Sequence, residues 1–232
     1  MRRTWKAVRY SAVGLTIAGV FSAIAGCSTE DGIRAIILFL IMLLTGGGGE
    51  EATTGPPPVT EIVLYSAGQT GSGDLASLGI GADGREGADK LCIAAKPATV
   101  TNPNVRAFIS VTASDDIEDM PTNYGVPTSL PIVSVTGNTV ASEWSDLFDH
   151  AVTLLPDTLD NLGITDSSDG GDGWWSGSLD TGAVEVNETC TQWMSTANSG
   201  RKGSTTQTGS GWISNTRPNC NDIFNELLCL GF

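Results

Sequence analysis

Few residues in this chain are placed for chemistry, and each can be weighed against what its reaction needs. The single histidine, His150, stands beside Asp146 and Asp149. A hydrolytic triad also needs a serine held against the imidazole, and no spacing here supplies one, so His150 reads as a surface histidine. Asp166, Asp169 and Asp172 in "DSSDGGDG" could offer oxygens to calcium. They lack the alternate-residue spacing and distal glutamate of a calcium loop, so the stretch reads as a solvated acidic loop. Zinc is disfavoured: the five cysteines include no Cys-x-x-Cys pair, and one histidine is too few. The expectation is no metal, no cofactor and no enzyme.

The elements around these residues begin with an export leader. Arg2, Arg3, Lys6 and Arg9 form a basic n-region, and "SAVGLTIAGVFSAIAG" an apolar one. Ile24, Ala25 and Gly26 then precede Cys27, and this stretch resembles the lipobox of bacterial lipoproteins. The resemblance implies that Cys27 is diacylated, that the leader (residues 1–26) is cut before it, and that the new amine is acylated. One acyl chain anchors only marginally at ~0.8 kcal/mol per buried methylene, whereas several on one residue hold a protein on a bilayer. "IRAIILFLIMLL", residues 33–44, is twelve residues long and carries Arg34. A span needs about 20 apolar residues, so this run lies in the membrane interface or packs on a neighbour. "TGGGGEEATTGPPP", residues 45–58, combines flexible glycines with extended prolines and reads as a tether.

Residues 59–232 remain as one globular domain. Seven Lys and Arg face 22 Asp and Glu there, a balance of −15. Such a surface repels phosphate backbones and anionic lipid heads. Nucleic acid and heparin are therefore poor partners, and the acidity reads first as solubility of an exported domain. With Cys27 assigned to lipid, Cys92, Cys190, Cys220 and Cys229 form an even set in an exported chain, so two disulfides are expected. Four cysteines allow three pairings.

Periodicity predicts an α+β order. Residues 61–68, "EIVLYSAG", read as the opening strand. Ala88, Leu91, Cys92 and Ala95 recur at helical spacing, which predicts a helix over residues 86–95 ended by Pro97. "VRAFISV" and "PIVSVTG" read as strands. "ASEWSDLFDH" reads as a second helix capped by Ser142, with Trp144, Leu147 and Phe148 inward. "GWWSG", "TQWMS", "GSGWISN" and "NELLCLGF" read as short strands of a small, mostly antiparallel sheet.

The ordered set "GADKLC", "RAFIS", "LPIVSVTGNTVASEWSDLF", "WWSGSLDTG…ETCTQW", "SGRKG…GWIS" and "C…LLCL" is similar to endostatin, and more specifically resembles the endostatin-like outer-membrane lipoproteins of leptospires. The likeness covers about residues 62–232. It implies a C-type-lectin-like fold and nested disulfides, Cys92 with Cys229 and Cys190 with Cys220. It implies that Trp174 or Trp175, Trp193 and Trp212 pack around the Cys190–Cys220 bridge. The other member of the Trp174–Trp175 pair must point the opposite way in a strand, and would be a contact candidate if exposed. The resemblance also implies an outer-membrane, surface-exposed protein binding laminin, fibronectin or factor H, with an envelope structural or glycan-binding module as the alternative. Neither the zinc nor the heparin site of endostatin carries over, because the histidines and clustered arginines are missing. Calcium-dependent sugar binding does not carry over either, since Arg217, Pro218 and Asn219 have no carboxylate at the ligating place.

Overall fold

A computed structural model describes residues 58–148, 155–165 and 173–232. Cys27, residues 33–44, the tether through residue 57, Asp149, His150, Asp166, Asp169 and Asp172 lie outside the described residues.

The domain is a mixed α/β unit built on one seven-stranded sheet. Its strands are β1 (Ile62–Gln69), β2 (Val105–Ala107), β3 (Ile132–Ser134), β4 (Thr139–Ala141), β5 (Gly173–Trp175), β6 (Lys202–Ser204) and β7 (Glu226–Gly231). They run in the order β4-β3-β1-β7-β5-β6, with β2 also on β7. The C-terminal β7 is the hub. It pairs antiparallel with β1 (Leu64 opposite Leu230) on one edge and with β2 (Arg106 opposite Leu230) on the other, where it also pairs parallel with β5 (Trp174 opposite Glu226). Two ladders are parallel, β1 with β3 and β5 with β7, so the sheet is mixed rather than purely antiparallel.

Both faces of this sheet are buried, which explains the unbroken apolar runs of β1 and β7. Side chains alternate between the faces along each strand. Ile62 and Leu64 join one core with Phe108, Leu228, Leu230 and Trp174. Val63 and Tyr65 join a second with Ala107, Leu227, Cys229 and Trp175. The first core is closed by Met120, Trp144, Leu155 and Leu159 from the connecting segments. The second is closed by the helices and the disulfides.

Helix α1 (Leu75–Gly79) is capped by Asp74, whose carboxylate accepts from the Ser77 amide. Helix α2 (Gly84–Ala95) begins two residues before the expected start, because Asp83 caps it by accepting from the Glu86 amide at 2.8 Å. It stops before Pro97, as expected. Gly87 lets α1 and α2 touch, since a Cβ there would fall inside the Leu75 carbonyl oxygen. α3 (Met120–Tyr124) starts with Pro121 in its first turn and ends at Gly125 with φ 72°.

Three expected elements take other forms. The second helix is a single 3-10 turn, Trp144–Leu147, and Ser142 does not cap it; Glu143 holds the cap position without a side-chain bond. Trp144 and Leu147, three apart, both turn into the core, a spacing that a 3-10 turn eclipses on one side. "GSGWISN" forms a 3-10 turn, Ser210–Trp212, instead of a strand. "TQWMS" forms no strand either; Cys190–Trp193 makes one tight helical turn, α4. The strand expected in "VRAFISV" pairs regularly only through Ala107.

Candidate functional site

The disulfides are Cys92–Cys229 and Cys190–Cys220, with Cα atoms 5.5 and 5.6 Å apart. Of the three possible pairings, this is the nested one. Cys92–Cys229 ties α2 to the hub strand, beside Tyr65, whose hydroxyl donates to the Cys92 carbonyl.

The tryptophans divide between the two cores. Trp175 and Trp193, with ring centroids 5.6 Å apart, lie in the core that holds Cys190 and Cys220. Trp212 lies across the sheet from that bridge, in the other core with Trp174 and stacked on Phe108 at 5.9 Å. This corrects the expectation that Trp212 packs on the inner disulfide. Trp174 and Trp175 do point opposite ways, yet both are fully buried, so neither is a surface contact. Four of the buried indole N–H groups find acceptors: Trp174 the Trp212 carbonyl, Trp175 the Thr70 hydroxyl, Trp193 the Ser110 carbonyl, Trp212 the Leu147 carbonyl; the Trp144 indole, also buried, has none among the described residues.

Beside the inner disulfide the surface opens into a cleft of about 600 Å³. Val111, Thr112 and Ala113 form one side. The chain from Val184 to Gln192 forms the other, and Asn198, Ser199 and Arg217 complete the rim. Three hydrogen-bonded crossings hold these segments together. The Cys190 amide donates to the Ser199 carbonyl, the Cys220 amide to Asn198, and the Arg201 amide to Glu188.

The backbone of this wall is strained. Seven non-glycine residues among those described have positive φ, and six of them fall between Asn187 and Asn198. Cys190, Thr191, Gln192 and Trp193 do so consecutively, with φ of 51°, 57°, 59° and 61°. That is one turn of left-handed helix, costing roughly 1–2 kcal/mol for each L-residue. The surroundings over-determine it. Cys190 is bonded to Cys220, Trp193 is locked in the core, and the Thr189 hydroxyl accepts from the Gln192 amide at 3.2 Å. Gly84 lies against the turn, where a Cβ would collide with the Gln192 carbonyl oxygen.

The lining is amide and hydroxyl in character: Asn187, Thr189, Thr191, Gln192, Asn198 and Ser199. Its one charged member, Arg217, lies 3.2 Å from Glu188 and donates to the Ser199 hydroxyl. Glu188 also faces the Arg201 Nε at 2.8 Å, an ion contact without hydrogen-bond alignment, and Glu185 lies 3.5 Å from the Nη2 of that arginine. Among the described residues, no carboxylate, cysteine thiol or histidine lines the cleft. Its described lining presents hydrogen-bonding groups.

A second polar cluster is internal. Arg85 donates Nε and Nη2 to the Asp115 carboxylate, and Nη1 and Nη2 to the carbonyls of Ala107 and Ile109. Tyr124 donates to Asp115 and lies under both Arg85 and Arg106, with burial pushing its phenol up to about 12. Arg106 in turn pairs with Asp89, whose carboxyl is raised by burial against the pull of the Ala107 amide and the two arginines. Every member is satisfied by another, which marks this cluster as a brace between α2, β2 and α3.

Nothing in the sequence pointed to Thr191 or Gln192. Among the described residues, no group of three or more His, Cys, Asp and Glu could hold a metal ion. No helix among them is long and apolar enough to cross a membrane. No protein-family model matches this chain, and no curated protein does.

Proposed function

We propose that this chain is a bacterial lipoprotein, anchored through Cys27 in the outer membrane and exposed at the cell surface, whose domain binds host proteins. The partners are laminin, fibronectin or factor H, the domain is C-type-lectin-like of the endostatin type, and its action is binding rather than catalysis. The observation that carries the binding reading is the open cleft, rimmed by hydrogen-bonding side chains with Val186 and Met194 exposed nearby. Polar rims beside apolar side chains are the usual anatomy of a contact surface. The nested disulfides and the order of the sequence motifs support the fold assignment. The lipobox and the Gly/Pro tether support display at a distance from the bilayer.

The second reading is an envelope module with a bacterial partner. It draws on the acid balance of −15 from residue 59 onward, which suits solubility as well as it suits a basic ligand. Expression of the full chain in a bacterium that does not adhere to matrix separates the two. On the first reading the cells gain adhesion to laminin or fibronectin or capture factor H, and Cys27→Ser abolishes the gain. No gain on any of the three, with the chain reached by protease on intact cells, rejects host binding.

A further inference from the structure

We infer that the cleft beside Cys190–Cys220 is a binding site for an uncharged, hydroxyl-rich ligand, an oligosaccharide, taken without a divalent cation. The inference concerns the cleft itself and holds whichever partner the rest of the surface meets.

Its starting point is the price in strain of the left-handed turn. Glycine occupies positive φ without steric cost. The four residues of the turn are not glycine, and two explain themselves: Cys190 forms the disulfide and Trp193 fills the core. Thr191 and Gln192 are exposed and line the cleft, so burial does not account for them. The Thr191 hydroxyl accepts from the Asn198 amide, which orients both across the opening. The side-chain amides of Gln192 and Asn187 have no partner among the described residues. Non-glycine side chains held at strained positions, exposed and unpartnered, fit a role outside the fold.

The chemistry of the lining selects the ligand. Each amide presents a donor and an acceptor side by side, a match for neighbouring hydroxyls. Val111, Ala113, Val184 and Val186 supply an apolar strip alongside, a match for the C–H face of a sugar ring. Arg217 pairs with Glu188, and no other charged residue among those described lines the site. The acidic domain around it repels anions, and no carboxylate among the described lining residues pairs with a cation, so the lining favours neutral ligands. Among the described residues no carboxylate lines the cleft, so a cation bridge there would have only neutral oxygen donors. The volume of about 600 Å³ falls in the range of small-ligand sites.

The test titrates the full-length chain, held in detergent, against a panel of neutral oligosaccharides in EDTA. One arm carries host-type glycans and the other bacterial envelope glycans. A hit in either supports the cleft, and the arm names the source. Gln192→Gly and Asn187→Gly then remove an amide while relaxing the backbone. The expected result is affinity at least about tenfold weaker, with Tm unchanged or raised by roughly 2–4 °C. Because relief of strain protects the fold, lost binding in these variants is not lost folding. The inference is overturned if neither arm binds, if binding needs calcium, if only unglycosylated peptides bind, or if both variants keep affinity within twofold.

Discussion

Replacing Arg85 by alanine tests whether the internal brace holds the sheet to its helices. The guanidinium makes four hydrogen bonds, two to Asp115 at 3.0 and 2.8 Å and two to the carbonyls of Ala107 and Ile109 at 2.8 and 2.6 Å. Removing one partner of a buried ion pair costs about 3–5 kcal/mol. The Asp115 side chain keeps 21% of its exposure, so water recovers part of that and the lower end applies. The two carbonyls add about 1 kcal/mol between them, since an unmade buried bond outweighs a made one. The expected loss is thus about 4 kcal/mol, with Arg85→Lys near 2 kcal/mol because one ammonium cannot span the fork. Lys90→Ala is the control: Lys90 pairs with Glu86 at 2.8 Å, but both are half exposed, so the change should stay below about 0.5 kcal/mol. Urea unfolding followed by the fluorescence of the buried tryptophans reads all three. An Arg85→Ala variant within about 1 kcal/mol of the parent refutes the brace.

Three further outcomes follow from the same structure. Replacing Cys190 and Cys220 together by alanine should cost about 4 kcal/mol, and Cys92 with Cys229 about 5, as chain entropy scales with loops of 30 and 137 residues; denaturant titration orders them, and peptide mapping without reduction checks the pairing. Burial raises the Asp116 carboxyl despite amide donors from Asp119 and Val184. A carboxyl with a raised folded pKa takes its proton first in the folded chain, so its contribution grows as pH falls through that pKa toward the ordinary value of about 3.9. The stability of Asp116→Asn relative to the parent should rise as pH rises through that window, and a relative fall would contradict the sign. Cys27→Ser should move the chain from the membrane to the soluble fraction; retention would assign anchoring to residues 33–44.

What could be read in advance had a local cause. α2 follows from a capped apolar stripe, β1 and β7 from apolar runs, and the two disulfides from the even set of four cysteines. What could not be read depends on partners distant in sequence. β4 and β6 are three residues each, strands only because β3 and β5 lie beside them. The alternation rule placed Trp174 and Trp175 on opposite faces, but it cannot say that both faces are covered. "CTQW" contains no glycine, so nothing local announces a left-handed turn; the disulfide to Cys220 and the burial of Trp193 impose it. The cleft draws its walls from residues near 112, 190 and 217, and such convergence leaves no contiguous motif.

The central claim, a surface binding domain for host proteins, is tested most directly by titrating the purified full-length chain against immobilised laminin, fibronectin and factor H at physiological salt. The account predicts saturable binding to at least one of them, lost after reduction and alkylation. Linear, non-saturating signals on all three, or binding that survives reduction unchanged, would contradict it.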